Sequence, residues 1–399
     1  MVISRRLFAY KDNRLTMEPS KEYLFKYKGF YFGVNTSLEY VASLEDFEIK
    51  DSDIFIATYP KSGSLNILLE FLLEFRKTLL SEAQKEWQGA PDVVVVKVDV
   101  IREACAGVMG DRARGQGAQT MLAHCQAAPG VTYSNNSMLF CIDLNSLKCP
   151  SLPGYGTVWT QNILSLIIHE GHRNGTENVE TMDRIPWLEY KTKNKDYADL
   201  PLPRAFATHL PYYLVPRDLR NKRGRIIYVT RNPKDVMVSY YHFSKFIPML
   251  EEVPDFNLFM ERFLAGKVLA SSWLDHVAGW YSHAEDFNIL FLTYEEMKKD
   301  LRSAVLKICN FLGKKLSEEE VDSVVRQATF ENMIKDPRAN YKNLPDDMVV
   351  KDKGSFLRKG TVGDWKNIMT VAQSERFDEV LKEKMKTLPI KFIWDINDE

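Results

Sequence analysis

Cysteine is scarce and unpatterned in this 399-residue chain, with five residues, Cys105, Cys125, Cys141, Cys149 and Cys309. An odd number without regular spacing excludes a secreted disulfide framework, and a reducing cytoplasmic compartment is the expectation. There is no Cys-x-x-Cys pair, and His124 beside Cys125 does not by itself make a zinc site, so no metal is expected. An excess of one charge is also missing: 53 Lys and Arg stand against 54 Asp and Glu. That balance gives no global attraction to nucleic acid or to an anionic membrane, so an anion site has to be local. No apolar run reaches the 18 or so residues of a membrane span. Residues 1–16 carry Arg5, Arg6, Lys11 and Arg14 without the apolar stretch of a secretory signal, and Asp12 argues against a transit peptide. They read as a plain extension. No internal repeat is present.

What is there suits a globular protein with a core: 45% hydrophobic and 27% charged residues. Three short apolar runs read as buried strands: 54–58 (Ile-Phe-Ile-Ala-Thr), 226–230 (Ile-Ile-Tyr-Val-Thr) and 289–294 (Ile-Leu-Phe-Leu-Thr-Tyr). Helical patterns follow the second over 234–243 and the third from Glu295. Alternation of this kind predicts an α/β fold, a parallel sheet flanked by helices, with ligands at the carboxyl ends of the strands.

Those ends carry cations and small residues. The first strand runs into Tyr59-Pro60-Lys61-Ser62-Gly63, a turn whose backbone N–H groups and lysine suit a phosphate. The second is followed by Arg231-Asn232-Pro233-Lys234-Asp235, with Ser239 eight residues beyond Arg231; guanidinium and hydroxyl together also suit a phosphate. Near the C-terminus, Phe356-Leu357-Arg358-Lys359-Gly360 places two cations before a glycine. Each segment alone is equally an ordinary surface turn, helix face or charged loop; together they point to a nucleotide.

With these motifs on the page, the chain resembles the cytosolic sulfotransferases. The resemblance rests on Thr58-Tyr59-Pro60-Lys61-Ser62-Gly63, on Arg231-Asn232-Pro233-Lys234-Asp235 with Ser239-Tyr240-Tyr241-His242-Phe243, and on Arg358-Lys359-Gly360 with Gly363-Asp364-Trp365-Lys366. Pro211-Tyr212-Tyr213-Leu214-Val215-Pro216 and the tail Lys391-Phe392-Ile393-Trp394-Asp395-Ile396-Asn397 resemble the amine sulfotransferases in particular. The family motif continues after its glycine with a hydroxyl residue, a variable residue and a tryptophan. Here Gly63 is followed by Ser64-Leu65-Asn66, and the expected continuation, Thr157-Val158-Trp159, stands further on. Removing 64–156 restores the motif without a seam. The expected organisation is therefore a sulfotransferase domain over 18–63 plus 157–399, an insertion over 64–156 and an N-terminal extension over 1–17. The clean seam, an Ala-, Gly- and Gln-rich stretch and four clustered cysteines suggest translated non-coding sequence or a gene-model error.

The resemblance implies a P-loop-like sulfotransferase fold and 3′-phosphoadenylyl sulfate (PAPS) as sulfuryl donor. By resemblance, Lys61 meets the bridging and sulfuryl oxygens, and Ser62, Gly63, Thr157 and Val158 wrap the 5′-phosphate. Trp159 stacks on adenine, while Tyr294, Thr329 and Phe330 contact the nucleotide. Arg231, Ser239, Arg358, Lys359 and Gly360 bind the 3′-phosphate. His209, in Ala207-Thr208-His209-Leu210-Pro211, is the implied general base, since imidazole titrates in the range that proton removal needs. Ala207 stands where many members have a lysine, which removes a charge from the sulfuryl pocket. The implied partners are a small acceptor, either an amine or a phenol or other hydroxyl compound, and a second copy of the chain paired through 366–375.

The insertion leaves two arrangements open. Either it loops out and Thr157 returns beside Gly63, or Ser64 stands in for Thr157 and 157–169 is displaced. An inactive homologue that only binds or pairs is the alternative function. A kinase-like P-loop enzyme is opposed by the absence of Gly-x4-Gly-Lys-Ser/Thr.

Overall fold

The computed structural model describes residues 17–62, 157–173, 175–190, 196–248, 250–339, 360–386 and 388–394, and the backbone strands 93–97, 131–134 and 137–143. The N-terminal extension, the apolar run from Leu65 to Phe75, Gly63, Arg358 and Lys359 lie outside the described residues.

The chain opens with a hairpin, β1 (Leu24–Tyr27) and β2 (Phe30–Gly33), then α1 (Leu38–Ser43) and β3 (Ile54–Thr58). Next, β4 (Val93–Lys97), β5 (Val131–Ser134) and β6 (Ser137–Asp143) form an antiparallel sheet in the order β4-β6-β5. The Val93–Val96 run thus forms a strand, as its β-branched residues favour. Then follow α2 (Thr157–Ile168), α3 (Thr181–Arg184), β7 (Ala205–Thr208), β8 (Arg225–Thr230), α4 (Pro233–Ser244), α5 (Phe256–Leu264) and α6 (Trp273–Ser282). The remainder is β9 (Ile289–Thr293), α7 (Tyr294–Lys299), α8 (Leu301–Leu312), α9 (Glu318–Gln327), α10 (Phe330–Lys335) and α11 (Val371–Met385).

The central sheet is wholly parallel, in the order β7-β3-β8-β9. Every residue of β3 and β7 is buried, which explains why β3 reads as a continuous rather than an alternating apolar run. Ile54 pairs with Ala205 on one side and with Arg225 on the other. At the entrance to two neighbouring strands, buried Arg204 grips buried Asp53, its Nε donating to Oδ1 at 2.9 Å. Paired and multiply hydrogen-bonded, this charge is tolerated inside.

All four strands end in threonine: Thr58, Thr208, Thr230 and Thr293. The sheet register brings these ends to one edge, the expected ligand edge of a parallel sheet. The third strand stops one residue before the sequence reading had it. Thr293 is the N-cap of α7, its side chain accepting from the Glu296 N–H, so Tyr294 starts a helix. Strand β7 was not predicted, because Ala-Phe-Ala-Thr is too short and too uniform to carry a period.

Candidate active site

The turn after β3 is built by its own sequence. Ser62 N–H donates to Tyr59 carbonyl at 3.0 Å, Pro60 occupies the second position and Lys61 the third with φ of 66°. This is the type II pattern, in which a glycine normally supplies the positive φ. A lysine there carries local strain, a feature that clusters at functional sites. The Lys61 side chain is buried, with Nζ 4.6 Å from the Phe243 ring centroid. Tyr59 anchors the turn from behind by donating to the Ser271 carbonyl at 2.7 Å.

Helix α2 comes back to this turn across the insertion. The hydroxyls of Thr157 and Thr58 are 2.8 Å apart, and Thr157, Val158 and Trp159 are all buried. Thr157 thus stands at the end of β3, with 157–168 helical against that strand, while Gly63, beside which it was expected, lies outside the described residues. Trp159 is fixed at both ends of its indole. Its Nε1 donates to the Ala328 carbonyl at 2.7 Å, and its ring meets Tyr294 edge-on at 5.4 Å.

After β8, Arg231 lies over the Tyr294 ring at 4.3 Å and donates to Asp235 at 3.2 Å and to the Thr361 carbonyl at 2.9 Å. Asp235 is the hub of this corner. Its Oδ2 also accepts from Asn232 at 3.0 Å and from Gly363 N–H at 2.9 Å, and its Oδ1 from Trp365 N–H at 3.1 Å. The start of α4 is thereby tied to the segment that follows Gly360. Buried Glu295 accepts from both nitrogens of Asn232, and burial pushes its carboxyl up to about 7. Asp235 and Glu295 were not assigned a role from sequence; the Asn-Pro-Lys-Asp run carried the first in plain view.

The remaining nucleotide candidates cluster around α10. Thr329 is its N-cap, and Phe330 packs on Gly360. Gly360 has φ of 64°, and a Cβ there would meet the Phe330 ring at 2.6 Å. Ser239 lies on α4, partly exposed, beyond Arg231.

His209 follows β7 directly and is held on three sides. Its Nδ1 donates to the Thr58 carbonyl at 2.8 Å, its N–H to Glu189 Oε1 at 2.6 Å, and its carbonyl accepts from His276 Nε2 at 3.0 Å. The Nδ1–H tautomer makes Nε2 the basic atom of the ring. Burial pushes the imidazole down to about 3, with His276 and Lys61 adding to the effect and the Thr58 bond opposing it. The ring is therefore neutral at physiological pH. Ala207 is buried in β7 and brings no charge. Neither Glu189 nor His276 was singled out from sequence, and no local pattern marks them.

Several polar atoms at this edge are buried without a partner among the described residues, including Ser62 Oγ and Arg231 Nε. Buried polar groups are normally satisfied, so orphans on the two anion-binding motifs fit a missing ligand rich in acceptors.

A profile of the sulfotransferase domain matches residues 150–389. The chain belongs to the sulfotransferase family. It is an enzyme of sulfuryl transfer. It is 59% identical over 249 residues to the amine sulfotransferase of Oryctolagus cuniculus, covering 62% of this chain and 83% of that one. It is 41% identical over 244 residues to the 3-beta-hydroxysteroid sulfotransferase of Cavia porcellus, covering 61% and 85%. In structure the sulfotransferase resembles mouse SULT7A1 complexed with PAP, with TM-score 0.54 and 27% identity over 92% of this chain and 96% of that one. Retinol dehydratase, in a complex with retinol and PAP, shares the fold at TM-score 0.57 and 19% identity, over 92% of this chain and 90% of that one. Among the described residues, no helix is long and apolar enough to cross a membrane, and no group of His, Cys, Asp and Glu is placed to hold a metal.

Proposed function

We propose that this sulfotransferase moves the sulfuryl group of PAPS to the nitrogen of a small amine, with His209 as general base. The observation that carries the reading is the fixing of His209 at its N–H, its carbonyl and its Nδ1, which leaves Nε2 as the base. The amine class is supported by the likeness to the rabbit amine sulfotransferase; phenols and other hydroxyl compounds are the alternative acceptors.

Bound PAPS supplies the sulfuryl group together with a phosphate leaving group. Ser62, Thr157 and Val158 hold the 5′-phosphate, joined by Gly63. Trp159, Tyr294, Thr329 and Phe330 hold the adenine side. Arg231, Ser239 and Gly360 hold the 3′-phosphate, joined by Arg358 and Lys359. His209 takes the acceptor's proton at Nε2 while Lys61 meets the charge that builds on the leaving oxygen. A neutral imidazole is ready for this without first losing a proton, and burial makes the resulting imidazolium dependent on its surroundings.

Pairing of two copies through 366–375 is part of the same reading. Thr370 caps α11 in a capping box with Gln373, and the next residue, Val371, is 75% exposed. An apolar side chain presented at a rigid helix start suits a small interface.

His209→Ala in the full chain is expected to abolish turnover of amine acceptors while leaving PAP affinity within about twofold, since it removes the base and no proposed nucleotide contact. Unchanged turnover removes His209 from the role. Failure to bind PAP at millimolar concentration in the unmutated chain overturns the enzyme reading in favour of an inactive homologue.

A further inference from the structure

Glu189 is 1% exposed, and its carboxylate has no ion pair among the described residues. Oε1 accepts the His209 N–H at 2.6 Å, and Oε2 has no hydrogen-bond partner among the described residues. Two residues back in the same extended segment, the Trp187 indole lies 4.5 Å from the His209 imidazole, and its Nε1 is also buried and unpartnered. The segment is pinned to β7 by a parallel bridge between Trp187 and Ala207. A carboxylate buried without a cation is costly to keep. In the resting site only the bonds from the His209 N–H and Thr208 offset that cost. The reaction adds a cation on the neighbouring ring.

We infer that Glu189 is a positioning residue for sulfuryl transfer: it fixes the His209 main chain and supplies the fixed negative charge that stabilises the His209 imidazolium. The inference rests on the reading of His209 as base. The proton passes from the acceptor nitrogen to His209 Nε2, and Glu189 forms and breaks no covalent bond. Its contribution is preorganised, so it costs no rearrangement as the charge develops.

Burial raises the Glu189 carboxyl to about 7, against the bonds from His209 N–H and Thr208. The other titratable groups here are Lys61 and His276, which both act on His209, and Tyr190, whose hydroxyl is pushed up by burial and by Glu189. With His209 itself neutral down to about 3, the two buried carboxyls raised to about 7, Glu189 and Glu295, are the sources of a kcat limb near neutrality, and the part that Glu189→Gln removes belongs to Glu189. The Glu189 carboxylate accumulates as pH rises, so kcat rises with it.

The experiment uses the full chain with PAPS and an aromatic amine. Glu189→Gln keeps an acceptor for the His209 N–H and removes the charge. It is expected to lower kcat on the order of ten- to a hundredfold, as loss of a fixed transition-state partner does. KM for both substrates and PAP affinity stay within about twofold, and the Glu189 part of the neutral limb disappears. Glu189→Asp, which keeps the charge, is expected to retain the limb. A Glu189→Gln enzyme with the kcat and pH profile of the unmutated enzyme overturns the inference. Should that variant not fold, Glu189→Asp decides, since it keeps the charge but draws it back from the His209 N–H, and an unchanged kcat in it overturns the inference. If His209→Ala is inert and Glu189→Gln is normal, only the role of Glu189 falls; if His209→Ala turns over normally, the base assignment falls first.

Discussion

Thr58 and Thr157 stand 99 positions apart in the chain and share a hydrogen bond of 2.8 Å between their hydroxyls. That contact joins the end of β3 to the start of α2. Thr58 also carries the carbonyl that fixes His209 Nδ1, so one residue links α2 to the His209 ring. A closed excursion of 93 residues costs on the order of 4 kcal/mol in chain entropy, a cost that grows only logarithmically with length.

Deleting 64–156 is therefore expected to leave the sheet and site intact and to raise stability by up to about 4 kcal/mol. Urea unfolding measures the gain, and calorimetric titration with PAP measures the site. A deletion variant that is insoluble or no longer binds PAP would show that the insertion is needed.

Asp235→Asn should damage the nucleotide corner. One carboxylate receives Arg231, Asn232, Gly363 N–H and Trp365 N–H, and the substitution removes its charge and leaves Arg231 poorly compensated. Breaking a buried pair by removing one partner costs about 3 kcal/mol. Melting temperature and PAP affinity are expected to fall together. Loss of stability with unaltered affinity would separate Asp235 from the nucleotide site.

Gly360→Ala is expected to be harmful for two separable reasons. The residue sits at φ of 64°, and its new Cβ would press on the Phe330 ring at 2.6 Å. The backbone conformation alone costs a non-glycine residue about 1 kcal/mol. Adding Phe330→Ala should relieve the clash but not the backbone strain, leaving a residual loss in denaturant unfolding. Full recovery in the double variant would mean that the backbone term is negligible.

Acid should destabilise this protein most steeply below about pH 4.5. His209 and His276 are buried and neutral, depressed from 6.5 to about 3 and about 4. The unfolded chain binds those protons from about pH 6.5 downward, but folded Glu189 and Glu295, raised from 4.5 to about 7, hold two protons that the unfolded chain lacks, so the terms oppose each other down to about pH 4.5 and the histidine loss prevails below it, toward pH 3. Equilibrium unfolding at a series of pH values gives the slope. Replacing His276, whose Nδ1 accepts from Tyr228 and whose Nε2 donates to the His209 carbonyl, with Gln should flatten it.

Three strands were legible because each is a solid apolar run ending in threonine with a cation or an aromatic just beyond it, and Lys61, Arg231 and Tyr294 do follow the strand ends at one edge of the sheet. The return of Thr157 was legible as one of two choices, from the seam at Gly63. Strand β7 was not, since four residues show no period, and it is β7 that delivers His209. Glu189 and His276 were invisible for a deeper reason. Their roles are hydrogen bonds to the main chain of His209 across 20 and 67 positions, and main-chain partners leave no mark in residue order.

The sequence by itself determined the family, the parallel sheet and the residue types offered to the two phosphates, because local apolar patterning and short motifs encode strand ends directly. Only the tertiary structure decided that Thr157 meets Thr58 across the insertion, that His209 is a neutral imidazole held at N–H, carbonyl and Nδ1, and that a buried carboxylate stands beside it. Burial and long-range hydrogen bonding create those states, and both exist only once the chain has closed on itself.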